Sequence, residues 1–222
     1  MTTSGRKVVA EFIGTVFLLA VVVGSGIMAE RLSGGNAGLA LLANAVATGA
    51  ALAALIAAFA PISGAHFNPA VTISDASQGG LRWGLVPGYL AAQLAGAYVG
   101  VLMAHAMFAE RIFMVSTRDR SGGSQMFSEF VATFGLLMVI WACSRRRAGS
   151  VALAVAGYIT AAYWFTASTS FANPAVTIAR SLTETFSGIR PSDVPGFISA
   201  QLLGAAAATW LCRWLVPPDQ TT

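Results

Sequence analysis

The sequence predicts an all-α membrane protein of six transmembrane helices plus two re-entrant half-helices, arranged as an inverted repeat. Three observations lead to this class. Apolar side chains make up 56% of the 222 positions and charged ones only 10%, where a soluble domain carries roughly 25% charge. The hexapeptide Asn-Pro-Ala-Val-Thr-Ile occurs at 68–73 and again at 173–178, each time inside a stretch too short to cross a bilayer. The segments around the two copies also match each other in the same order along the chain.

A hydrocarbon core about 30 Å thick takes about 20 apolar residues per helix, so this length accommodates about six spans in a single membrane domain over 1–222. Runs bounded by charge, Gly or Pro place the spans at Val8–Ala29, Ala37–Ala60, Gly84–Phe108, Phe127–Cys143, Ser150–Ala167 and Val194–Leu215. The polar start through Arg6 and Lys7 precedes a run without a cleavage signature, which predicts a retained first span. Arg6, Lys7 and the triplet Arg145, Arg146, Arg147 fall on one side of an even-numbered bundle, and that side is expected to be cytoplasmic. Arg111, Arg118 and Arg120 run against this rule in the long third connection. The basic residues are scattered at span ends, so the net charge of +4 argues against nucleic acid as a partner. Cys143 and Cys212 lie in apolar surroundings without metal-site spacing and are expected to pack inertly, and no metal is expected.

The stretches Ser63–Ser77 and Ser168–Leu182 remain outside the six spans. Irregular backbone at membrane depth survives only when buried in protein or lining a watery cavity, so a pore is implied. The duplication supports this. Ala10–Thr15 returns as Ser128–Thr133, Val86–Tyr89 as Val194–Phe197, and Gln93–Gly96 as Gln201–Gly204. The repeats run from about 8 to 108 and from about 126 to 216. A unit with three spans re-enters from the opposite face, which brings the two half-helix tips together at the midplane.

At the tips, Asn68 and Asn173 are expected to cap their helices through the side-chain oxygen, with Pro69 and Pro174 in the first turn and Ala70 and Ala175 following. The amide nitrogens are then free to donate into the pore. Two converging N-termini, each carrying about half a positive charge, repel cations and orient a hydroxyl oxygen toward those donors. Glu11 and Glu129 sit in the first span of each half. A loop-bracing role, accepting from backbone N–H groups of a re-entrant loop, is preferred over a proton relay. His66 is read as a loop-bracing or wall residue, and His105 receives no role. Gly14, Gly49, Gly96, Gly157 and Gly204 fit close helix contacts. An enzyme is not expected, since no loop gathers a nucleophile with a base.

With Ser63–Val71, the second Asn-Pro-Ala, the two span glutamates and the duplication, the chain resembles the aquaporin and aquaglyceroporin (major intrinsic protein) family over nearly its whole length. The resemblance implies a homotetramer with one pore per subunit, cytoplasmic termini, passive flow of water or small uncharged solutes, and no cofactor. It also implies an outer filter of four residues. Counting from the motif asparagines transfers these to Thr48, Ala161, Ser170 and Val176. Water-selective members place Phe, His, a small residue and Arg there, so Val176 stands where the family keeps an arginine. The set is similar to an Arg-lacking bacterial subgroup associated with arsenic resistance, located in a bacterial inner membrane. It implies a wide filter passing glycerol, urea and neutral metalloids such as arsenite, with water. A water-selective aquaporin and an ion-coupled secondary transporter are the alternatives. Arg180, one turn beyond Val176, is either an outer-vestibule charge or a solvated loop-side residue.

Overall fold

A computed structural model describes residues 3–217. Met1, Thr2 and residues 218–222, the extreme ends of the predicted domain, lie outside the described residues. The long apolar runs form α1 (Ser4–Leu32), α2 (Ala37–Ser63), α4 (Val86–Met107), α5 (Gly123–Arg146) and α8 (Val194–Leu215), with the shorter α6 (Val151–Phe165). The two repeated hexapeptides open the half-helices α3 (Pro69–Ser77) and α7 (Pro174–Arg180). Thr3 and Asn36 cap α1 and α2 by accepting from Arg6 N and Leu39 N, while Pro87 and Pro195 sit in the first turns of α4 and α8, where a missing N–H leaves no orphan. Gly64 ends α2 in the left-handed conformation, φ 92°, which turns the chain back into the bundle.

Among the described residues, five helices are long and apolar enough to cross a membrane. The fifth predicted span is the exception, because α6 has 15 residues and rises only about 22 Å. A 3-10 turn at Ala148–Ser150 extends it at one end, and at the other the backbone leaves the helix at Thr166 in an extended conformation to enter the second half-helix loop. Trp210, Trp214, Leu153 and Leu203 are exposed on the outer surface, as lipid-facing side chains are.

The second half repeats the packing of the first. Helix α1 packs on α4 and α2, α5 packs on α8 and α6, and α2 meets α6 where the halves join. Close approach depends on matched glycines. An added Cβ on Gly96 would lie 2.5 Å from the Phe12 carbonyl oxygen, and one on Gly204 would lie 2.4 Å from that of Phe130. Because the obstacle is backbone in both cases, Gly96→Val is expected to force α1 and α4 apart. The cost should be about 1–3 kcal/mol, seen as a lower thermal unfolding midpoint in detergent; an unchanged midpoint would refute the close-contact argument. Gly157 does not belong with these glycines. Among the described residues nothing lies within 4 Å of its Cβ position, because it is on the exposed side of α6.

A further correspondence joins the helix ends. Arg31, in the last turn of α1, donates to the Phe108 carbonyl at the end of α4 at 2.8 Å. Arg145, in the last turn of α5, donates to the Cys212 carbonyl near the end of α8 at 2.7 Å and to the Val216 carbonyl. Each guanidinium thus donates to carbonyls at a partner helix's negative end. In the loop predicted to violate the charge rule, Arg118 pairs with Glu30 at 2.9 Å, so one of its charges is balanced by an acidic residue at the end of α1.

Candidate functional site

The two half-helix tips meet between the long helices. Asn68 Oδ1 accepts from Ala70 N at 2.9 Å, and Asn173 Oδ1 accepts from Ala175 N at 3.0 Å and Val176 N at 3.3 Å. Both side chains act as caps in the ordinary sense of a helix N-terminus. Their amide nitrogens, however, are not wholly free. Asn68 Nδ2 donates to the Ala172 carbonyl at 2.7 Å and Asn173 Nδ2 to the Phe67 carbonyl at 2.8 Å, each crossing to the other half. A primary amide carries two N–H bonds, so one per asparagine is spent on this exchange. Pro69, Ala70, Pro174 and Ala175 pack behind the tips, buried in the first turns.

The loops leading to the tips pass through left-handed backbone at non-glycine residues, Ala65 and Phe67 in the first and Thr169, Ser170 and Ala172 in the second, all between φ 47° and 61°. Such conformations persist only when their surroundings over-determine them. Here the constraint is a buried carboxylate. Glu11 accepts from Ser63 Oγ (2.7 Å), His66 N (3.0 Å), Phe67 N (2.7 Å) and Gln93 Nε2 (2.8 Å). Glu129 accepts from Phe171 N (2.8 Å), Ala172 N (2.9 Å) and Gln201 Nε2 (2.6 Å). The glutamines had been visible only as repeat markers. Each also donates to the threonine of its half-helix, Gln93 to Thr72 at 2.9 Å and Gln201 to Thr177 at 2.8 Å, and so links span, loop and half-helix in one polar network.

Between these elements runs a cavity of about 690 Å³. Asn68 and Asn173 lie on its wall, as do Thr48, Ser170, Val176 and Arg180. Ala161, the fourth transferred filter residue, does not. It is exposed on α6, and the wall there is made by Val155, Ile159 and Tyr163. These recur every four residues on one helix face, whereas Ala161, two residues from Ile159, points about 200° away. The Tyr163 hydroxyl lies 3.2 Å from Thr48 Oγ1, closing the wall between α2 and α6. At the opposite end His66 lines the cavity beside Asp75, with Nδ1 3.2 Å from Thr72 Oγ1 and Nε2 3.5 Å from Asp75 Oδ2.

Arg180 is not solvated. It is 2% exposed, stacks on the Phe171 ring at 3.4 Å from the centroid and donates through Nε to the Ser187 carbonyl. Arg120, in the segment between α4 and α5, approaches the same ring at 4.9 Å and donates to the carbonyls of Gly188 (2.8 Å) and Ser168 (3.2 Å). Burial pulls its guanidinium down to about 10, so it stays cationic at neutral pH. His105, which the sequence left without a partner, has two: Nδ1 lies 3.0 Å from the Ile112 carbonyl and Nε2 2.8 Å from Thr183 Oγ1, tying the two loops that cover this mouth.

An apolar helical bundle with two capped half-helices meeting in a continuous cavity defines a membrane channel. The chain belongs to the Major intrinsic protein family, which it matches over residues 1–150 and 146–222; membership makes it a multi-pass channel rather than an enzyme. It is 54% identical over 213 residues to "Aquaglyceroporin AqpS" of Rhizobium meliloti, covering 96% of this chain and 91% of that one. It is also 32% identical over 212 residues to "Aquaporin NIP1-4" of Oryza sativa, covering 92% and 75%. Among solved structures, the aquaglyceroporin from Plasmodium falciparum superposes with a TM-score of 0.72 at 22% identity, over 96% of this chain and 97% of that one, a likeness of fold.

Proposed function

We propose that this channel passes small uncharged solutes passively, water and glycerol among them, with urea and neutral metalloid hydroxides such as arsenite within its range. The observation that carries the reading is Val176. An aliphatic side chain lines the cavity one turn from the Asn173 tip, at the position where the sequence comparison expected a guanidinium. Without that side chain the opening is wider and less polar, and a polyol's carbon face is tolerated there. Thr48, Ser170 and Val176 form the filter, and Tyr163 takes the place assigned to Ala161. Similarity to a relative named as an aquaglyceroporin supports the same solute class.

Glu11, Glu129 and His66 serve as loop braces, and the carboxylates, already engaged by three or four donors each, are poorly placed to couple an ion. The channel is a single domain made of the two repeats. It works as a homotetramer with both termini cytoplasmic, in a bacterial inner membrane.

Stopped-flow light scattering on proteoliposomes tests the assignment with Val176→Arg. Glycerol and urea permeability should fall about tenfold or more, while water flow stays within a few-fold of native. Unchanged passage of the larger solutes would remove Val176 from the filter, and native vesicles that pass neither water nor glycerol would end the channel reading.

A further inference from the structure

The mouth beside α7 keeps a buried cation that the filter positions do not account for. Arg180 lines the cavity, yet its one hydrogen bond to the protein is through Nε. Its two terminal nitrogens have no protein partner among the described residues, and it forms no ion pair there. The carboxylate whose charge reaches it, Glu129, is engaged by Phe171 N, Ala172 N and Gln201 Nε2 rather than by the guanidinium. Phe171, on which Arg180 stacks, is preceded by Ser170. The Ser170 hydroxyl is buried, lies on the same cavity wall and has no hydrogen-bond partner among the described residues. A buried hydroxyl without a partner is costly unless something passing through the cavity supplies one.

We propose that Arg180 and Ser170 form the solute-recognition point of this mouth, with the guanidinium displaced one helical turn outward from position 176. The free Nη–H groups donate to a hydroxyl oxygen of a neutral polyhydroxy solute, and Ser170 Oγ pairs with a second hydroxyl. Stacking on Phe171 holds the guanidinium plane, and its uncompensated charge turns back cations before they reach the asparagines. A pore with Val176 can therefore be wide without being leaky. This inference rests on the channel reading above.

The experiment compares Arg180→Gln, Arg180→Lys and Ser170→Ala with the native chain in proteoliposomes, reading water, glycerol and proton or sodium flux in the same preparations. Native vesicles that conduct water and glycerol establish the channel itself and separate its failure from that of the proposal. Arg180→Gln should keep water flow while cation leak rises about tenfold or more. Arg180→Lys should stay tight to cations but lose several-fold of its glycerol flow, because a point charge lacks the planar fork. Ser170→Ala should lower glycerol flow and leave cation exclusion intact. Water-conducting Arg180→Gln vesicles that are as cation-tight as native and have a native glycerol-to-water ratio would overturn the proposal. If Arg180→Gln passes nothing, Arg180→Lys decides: retained water flow with cation exclusion and reduced glycerol supports the proposal, and any other result overturns it.

Discussion

Replacing Glu129 by alanine should collapse the second re-entrant loop and with it the channel. The carboxylate is fully buried and accepts from Phe171 N, Ala172 N and Gln201 Nε2. Truncation leaves three donors without an acceptor in a place water does not reach freely. At about 1–3 kcal/mol for each stranded group, the loss is roughly 3–9 kcal/mol, which rivals the whole stability of an ordinary domain. The loop also loses what holds Ser170 and Ala172 in left-handed backbone, so it should relax away from the Asn173 tip. Thermal unfolding in detergent should show a midpoint lowered by many degrees, with water flow abolished. Glu129→Gln keeps one acceptor oxygen and should fall between the two. A Glu129→Ala protein that melts and conducts like the native one would show that the carboxylate does not hold the loop.

The second large effect is electrostatic. Asn173→Asp preserves the cap, since a carboxylate oxygen accepts from Ala175 N and Val176 N as well as the amide does. It cannot donate to the Phe67 carbonyl, which the native Nδ2 reaches at 2.8 Å, and instead sets an anionic oxygen against a carbonyl oxygen. It also places a negative charge between two helix N-termini whose combined field had repelled cations. Proton or sodium leak, read with a pH- or sodium-sensitive dye inside proteoliposomes, should rise at least about tenfold, while water flow persists at a reduced rate. If water flow survives and the vesicles remain tight, the charge barrier does not lie at the tips.

The sequence carried much of this arrangement because the repeats preserve chemistry as well as hydropathy. Glu11 and Glu129, the two capped asparagines and the prolines behind them were all found by comparing one half with the other. Local pairing rules, by contrast, could not reveal contacts made across the bundle. Ala161 was reached by counting residues, but the phase of α6 decides which side chain meets the cavity, and that phase favours Tyr163. Arg180 could be read either as a vestibule charge or as a loop-side one, since its burial comes from Phe171, Ser187 and the returning loop. None of these lies on its own helix face. The crossed amide bonds at the tips were equally hidden, because a single motif supplies only the cap and the acceptor is a carbonyl of the other half.

Those crossed bonds bear on how the molecule is made. Asn68 is completed by Ala172, 104 positions downstream, and Asn173 by Phe67, 106 positions upstream. A chain entering the membrane from its N-terminus inserts its first half-helix well before the carbonyl that completes it has been synthesised. Until the second half arrives, the first tip lacks that acceptor and one asparagine N–H stays unspent. The tips are thus completed only when both halves are in place.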